Sequence, residues 1–344
     1  MGVTWKTILR WDTGYSADSV EWCPLEPYRN FLVCGTYQLD KKNEEQQDTK
    51  QKRLGRIHLF MVDTNTKELF PIQTIDTSGI LDQKWCHHPI QNYPVLGVVT
   101  SEGFIQLYRL HTVNDSVELK LWTQASIGQG ILALSLDWSS NKIHVLEPSI
   151  AVSDSAGNVK ILKVVGDSLR EIGAWKAHGF EAWIGAFNFW NMDIFYSGGD
   201  DCLFKSYDIR VPDAVITNKS HEAGVTAIRS DVENEHRLLT GSYDEKVRLW
   251  DARNLRKCIT EVDVGGGVWR LKFHPCDSSV VLAACMYGGF RVLRIDKQVS
   301  VICEYLEHES IAYGADWKVE KNSSTVATCS FYDCKMHIGK IVLD

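Results

Sequence analysis

The chain has no cysteines paired at the CxxC spacing, no block of lysine and arginine, no uninterrupted apolar run of about 18 residues, and no G-x-S-x-G. Each absence removes a class of function. The ten cysteines stand scattered, mostly inside apolar strand-like runs such as "FLVCGTY" and "VLAACMY", which marks them as reduced, buried thiols rather than a disulfide frame or a zinc site. "CHHP", Cys86 to Pro89, puts adjacent histidines on opposite sides of a strand or in a turn, so no metal is expected there. A net charge of -7 without a basic block gives nucleic acid no electrostatic footprint. No membrane partner is expected either, and the opening "MGVTWKTILRWDTGYSADSV" lacks a basic segment leading into an apolar one. These features predict a soluble, cytoplasmic protein. The missing nucleophile elbow argues against a serine hydrolase of that type.

What the sequence does contain is repetition. In "TGSYDEKVRLWDARN", Thr240 to Asn254, a strand, a tight turn and a second strand follow one another. In "YSGGDDCLFKSYDIR" upstream, Ser197, Asp201 and Tyr207 stand 43 residues before Thr240, Asp244 and Trp250. Five further copies of the shape run from "LVCGTY" to "ATCSFYDCKMHIGKI", most preceded by a strand ending in an aromatic position, such as "VWRLKFHP" and "AYGADW". Seven such units predict an all-β, seven-bladed propeller of WD-repeat type, a single domain over 1–344. The last copy has a third strand but no fourth, and "TWKTILRW" is a strand without a blade, so the N-terminal strand is expected to close the ring. An insertion rich in Lys, Glu and Gln, Gln38 to Gly55, interrupts blade one and reads as a mobile loop on the functional face.

Several polar residues belong to this scaffold. A His before the first strand, a Ser or Thr in the second, an Asp in the turn and a Trp in the third form a buried hydrogen-bonded chain. Blade five supplies His221, Thr240, Asp244 and Trp250; blade four supplies His178, Ser197, Asp201 and Tyr207. In blade seven His308 and Asp333 are in place, but Cys329 falls on the Ser/Thr position and Gly339 on the Trp position. Two readings follow: a His, Cys and Asp held together for nucleophilic chemistry, or a degenerate repeat in which the cysteine is a small buried hydrophobe. The second is favoured.

Aligning the copies also picks out the residues that project at the rim where strands start and turns reverse. The strand starts are Asp18, Leu81, Leu134, Trp183, Thr226, Trp269 and Tyr313; the turns add Asp200, Tyr243, Met286 and Tyr332. Blades four to seven therefore aim Trp183, Tyr243, Trp269, Tyr313 and Tyr332 at one rim, among Glu181, Asp200, Glu309 and Asp316. Aromatic faces mixed with carboxylates suit a quaternary ammonium, at roughly 0.5 to 2 kcal/mol per ring. A protein-binding rim is also enriched in Trp and Tyr, and from spacing alone that reading is favoured.

The strings "SVEWCPLEPYRNFLVCGTYQL", "ILDQKWCHHP", "FEAWIGAFNFW", "GGGVWRLKFHP", "LAACMYGGF", "YGADW" and "TCSFYD" resemble, in order from Asp18 to Asp333, the diphthine methyl ester hydrolase family, the WD-repeat member of the diphthamide pathway. The resemblance implies hydrolysis of the methyl ester of methylated diphthine, a modified histidine on translation elongation factor 2, in the cytoplasm and without a cofactor. Elongation factor 2 and other diphthamide-pathway proteins are the implied partners. Diphthine carries a trimethylammonio group, which the rim residues Trp183, Glu181, Asp200, Tyr243, Trp269, Met286, Tyr313 and Tyr332 would bind. For the chemistry the candidates are Asp316, His308 and Cys329 as base or nucleophile, and Arg270 or the backbone N–H groups of Gly265 to Gly267 for the oxyanion. Asp316 leads because "YGADW" puts a carboxylate where a generic repeat has a small or apolar residue, although strand alternation would also let it face a neighbouring blade. The alternative function is a non-catalytic scaffold that presents elongation factor 2 to another enzyme of the pathway.

Overall fold

In the computed structural model, which describes residues 3–40, 51–114, 116–320 and 324–343, twenty-eight strands and no helix form seven antiparallel four-stranded sheets. The sheets are the blades of a propeller, as the repeats predict. A blade has to bury both faces against its neighbours, and the burial pattern records this. The innermost strand of blade one, Ser16–Trp22, is buried at all seven positions, whereas an outer strand such as Ser168–Lys176 is mostly exposed or half-buried, with Trp175 alone buried.

The seventh sheet runs Ala312–Trp317, Ser324–Ser330, Lys335–Val342 and then Thr4–Asp12, with Thr4 opposite Val342. The N-terminal strand thus closes the ring. Trp5 on that strand stacks on Tyr305 at 4.5 Å between centroids, and its indole fills the place left by Gly339, where any Cβ would lie 2.4 Å from Trp5 Nε1. The residues Gln38 to Gly55 are not all loop. Gln38 and Leu39 pair with Leu54 and Arg53 in strands Phe31–Leu39 and Arg53–Asp63, and the expected mobile centre, 41–50, lies outside the described residues.

The inner strands share one irregularity that positions the site. In six blades the register against the second strand slips around one residue, as at Ala182/Ile184, Val225/Ala227 and Ala312/Gly314. The bulged residues are Asp18, Leu81, Leu134, Trp183, Thr226 and Tyr313, the same row that the repeat alignment places at the strand starts. A bulge re-aims a side chain out of the pleat, which gives each of these six blades one residue free of sheet packing at the same end of the channel.

Below that row the inner strands are stitched together by side chains. Asp316 Oδ2 accepts the backbone N–H of Trp22 in the next blade at 2.7 Å, as Asp137 accepts that of Phe187 at 2.9 Å and Asp82 that of Leu136 at 3.0 Å. The indoles of Trp85, Trp138 and Trp317 each donate to a carbonyl of the preceding blade, those of Glu21, Lys84 and Lys272.

Candidate functional site

The bulge row and the adjacent turns build a continuous aromatic wall across blades four to seven. Trp183 meets Tyr243 edge-on at 6.0 Å and Trp269 at 5.8 Å. Trp269 stacks on Tyr313 at 4.8 Å and 20°, Tyr313 tilts against Phe331 at 5.1 Å, and Phe331 carries Tyr332. Met286 joins the wall through Gly267: a Cβ there would come within 3.0 Å of Met286 Sδ and 3.2 Å of Tyr243 Cδ1. Trp183 Nε1 donates to Asp200 Oδ1 at 3.0 Å, while the Trp269 indole N–H finds no acceptor among the described residues. Burial, with the nearby Asp200 and Glu181 charges, pushes the Tyr243 phenol up, and burial with Asp18 does the same to Tyr313. Both are therefore neutral, with electron-rich faces. The structure brings Trp183, Glu181, Asp200, Tyr243, Trp269, Met286, Tyr313 and Tyr332 to one rim.

Charged groups lie directly beneath this wall. Arg270, next to Trp269, reaches from blade six to blade two, where Nη2 lies 2.8 Å from Asp82 Oδ1 and 3.4 Å from the Leu81 carbonyl. Burial opposes ionisation of Asp82, but Arg270 and Lys84 outweigh it and hold its carboxyl below the usual range. Asp18 has no such pairing. It is 4% exposed, Oδ1 has no hydrogen-bond partner among the described residues, and burial pushes its carboxyl well up, with Arg270 opposing and Asp82 reinforcing. An aromatic cup thus has a guanidinium and a buried carboxyl, pushed up by that burial, in its floor. Asp18 was visible in the sequence as the one carboxylate in a row otherwise of Leu, Thr, Trp and Tyr, but it was not among the predicted site residues.

The other predicted groups do not come together there. Asp316 lies three residues past Tyr313 on the same strand, roughly 10 Å down the channel. It is engaged by Trp22 N–H and by Lys272 Nζ at 3.3 Å, so its carboxylate fastens blade seven to blade one. It lines a cavity of about 310 Å³ at the opposite mouth, with Glu21, Lys272 and His87. In blade seven the register is one residue from the predicted one. His308 Nε2 bonds Thr328 Oγ1 at 2.9 Å and Nδ1 bonds Ser330 Oγ at 2.5 Å, and Ser330 donates to Asp333 at 2.5 Å. Thr328 therefore holds the Ser/Thr slot. Cys329 points the other way into a core of Ala17, Val20 and Met336. Burial drives its thiol well up, and burial with His337 drives the His308 imidazole down. Among the described residues of blade seven, His308, Cys329 and Asp333 do not come together as a His–Cys–Asp constellation. Of the glycine N–H groups, that of Gly265 is occupied by Asp263 Oδ1 at 2.8 Å. The networks of blades four and five form in part as predicted: His178 bonds Ser197 at 2.7 Å and Asp201 at 2.8 Å, and Thr240 links His221 at 3.1 Å to the Trp250 indole at 2.8 Å, but in blade five Arg248 Nη1 stands between His221 and Asp244, 2.7 Å from each. In blade four the Tyr207 hydroxyl donates at 3.4 Å to the carbonyl of Ala177.

Residues 213–251 match the family model described as WD domain, G-beta repeat. Diphthine methyltransferase of Mus musculus is 41% identical over 96% of this chain and 73% of its own length, and that of Homo sapiens 42% identical over 89% and 73%. The diphthine methyltransferase homolog of Dictyostelium discoideum is 36% identical over 93% of this chain and 95% of its own. A chain from a crystal structure of the mitotic checkpoint complex superposes with a TM-score of 0.73 over 98% of this chain and 92% of that one; at 15% identity it is similar in fold alone.

Proposed function

The chain belongs to the diphthine methyltransferase family, and from that premise we propose that it is an enzyme of diphthamide biosynthesis that hydrolyses the methyl ester of methylated diphthine on translation elongation factor 2. The relatives' name speaks of methyl transfer; our reading is removal of the methyl group as methanol. The observation that carries it is the aromatic cup of Trp183, Tyr243, Trp269 and Tyr313 over the floor of Arg270 and Asp18. Stacked and edge-on rings flanked by Asp200 and Glu181 suit a trimethylammonio group. With that group in the cup, an ester of the same side chain reaches the floor.

There the chemistry divides among three groups. Water adds to the acyl carbon and passes its proton to a rim carboxylate, for which Asp200 is our assignment. The carbonyl oxygen becomes an oxyanion beside the Arg270 guanidinium, which Asp82 already holds in place. As the tetrahedral adduct collapses, the C–O bond to methoxide breaks, and protonated Asp18 supplies the proton that makes methanol. The remaining hydroxyl proton of the new acid returns to Asp18 and the proton held by Asp200 passes to solvent, so the products are methanol and the free carboxylate of diphthine.

The test incubates the purified chain with elongation factor 2 carrying methylated diphthine and measures methanol and the mass of the modified peptide. Methanol release, lost in Arg270→Met, is expected. Binding without release would instead identify a scaffold that presents elongation factor 2 to another enzyme.

A further inference from the structure

Around the cup, the loops of blades four to seven differ from an ordinary protein surface in two ways. The first is charge. The eight segments 177–181, 200–203, 219–224, 243–245, 264–269, 285–289, 306–311 and 331–334 contain nine carboxylates and one lysine, Lys219. Asp201, Asp244 and Asp333 are used inside the buried networks, and Glu307 is paired with Arg10. Glu181, Asp200, Glu245 and Glu309 have no cation within 4 Å among the described residues. The second is exposed apolar surface. Phe180 is 64% exposed, Tyr287 83%, Leu306 62% and Tyr332 70%. All four lie in these same loops, next to the aromatic wall, and none is required by the repeat.

A solvated acidic face has no reason to display large apolar side chains, and a purely apolar patch would not be ringed with unpaired carboxylates. Together they describe the hot-spot-and-rim composition of a protein interface. The charge fixes the sign of the partner. We propose that the upper face of blades four to seven is a docking surface for a basic protein segment that also carries apolar side chains, the segment of the protein substrate flanking the modified residue. This rests on the reading of the cup as an ester-hydrolysing site on a protein, and it adds that recognition extends to the surrounding chain. A small ester would meet only the cup, whereas a protein substrate would meet Phe180, Tyr287, Leu306 and the unpaired carboxylates as well.

The experiment compares two probes on the purified chain: elongation factor 2 carrying methylated diphthine, and a short synthetic methyl ester with a trimethylammonio group. The variant is Phe180→Ser/Tyr287→Ser/Leu306→Ser, whose side chains are mostly in solvent and leave the fold intact, with the melting temperature as a check. Affinity for the protein probe, measured by titration whether or not turnover occurs, should fall about tenfold, and binding to the parent should weaken as salt is raised. Affinity for the small ester should not change. Unchanged affinity for the protein probe overturns the proposal, as does an equal loss for both probes, which would put these residues inside the cup. Loss of self-association in place of loss of substrate affinity also overturns it, by identifying a second copy as the occupant. Absence of methanol from the parent refutes the hydrolase reading, and the titration still decides the docking surface.

Discussion

Blades one to three and blades four to seven are built on the same sheet, and all but blade six carry the same bulge at the start of the inner strand, yet they use it differently. In blades two and three the bulged residue is Leu81 or Leu134, the latter buried in the channel wall. In blades four and seven it is Trp183 or Tyr313, and Trp269 holds the equivalent position in blade six. The upper loops of blades one to three outside the insertion contain a single carboxylate, Glu102, and no lysine or arginine. Because the bulge frees one residue per bulged blade from packing, the scaffold tolerates either choice. Half the ring is left as wall and half carries the aromatic row and the acidic loops to which we assign recognition. Asp18 is the exception on the plain side, and it adjoins Tyr313 of blade seven where the two halves meet.

That contrast can be tested, beginning with Asp18. Asp18→Asn removes the proposed proton donor and should lower turnover at least about 100-fold. Its effect on stability has a definite sign. A carboxyl whose folded-state pKa is raised contributes stability below its ordinary value and loses it as pH climbs through the raised one, so Asp18→Asn should gain melting temperature relative to the parent as pH is raised above the ordinary carboxylate range. A variant with full turnover would return the site wholly to blades four to seven. Next, Trp269→Ala should reduce kcat/KM about 30-fold through loss of roughly 2 kcal/mol of ring–cation attraction, whereas Leu134→Ala at the same row should change it less than about threefold. Equal losses at both positions would erase the distinction between the halves.

Smaller effects separate structure from chemistry within blade seven. Thr328→Val should cost about 1–3 kcal/mol by leaving His308 short of a partner, measured by denaturant unfolding. Cys329→Ser should cost about 1–2 kcal/mol by placing a hydroxyl in an apolar core, with turnover per folded molecule unchanged. Loss of turnover would restore a catalytic role for Cys329. Smallest is the effect at the far mouth. Burial holds the Glu21 carboxyl up at about 7, against an opposing Lys272 and with Asp316 reinforcing. Its stabilising contribution is present below pH 4.5 and fades as pH rises through about 7. Glu21→Gln should lower the melting temperature, because Lys272 loses a partner, and should flatten this pH dependence. An unchanged slope would show that Glu21 titrates normally.

The repeats made the blades, the closing strand and the aromatic row legible, because each is a local pattern recurring at a fixed interval. What failed depended on a single residue or on a distant partner. The turn Ser330-Phe331-Tyr332-Asp333 is one residue longer than Ser242-Tyr243-Asp244, so counting back from the aspartate landed on Cys329 instead of Thr328, and one step along a strand reverses the face. The direction of Asp316 was open from the sequence because its partner is the N–H of Trp22, at the other end of the chain. Asp18 carries weight only because Arg270 arrives from blade six. The vacancy at Gly339 is filled by a tryptophan from the N-terminal strand, which no local window contains.

The pairing of Thr4 with Val342 has a kinetic consequence. Six blades are made of contiguous sequence and can form as soon as each emerges during synthesis, but the seventh lacks its outer strand until Thr4–Asp12 meets Lys335–Val342. Loop-closure entropy grows only logarithmically with length, so the clasp is thermodynamically inexpensive. Pairings this distant in sequence are nevertheless slow to find. The last folding step is therefore expected to be ring closure, and a chain in which the two ends have parted should persist as an opened horseshoe with the edge of Lys335–Val342 exposed to pairing by other chains.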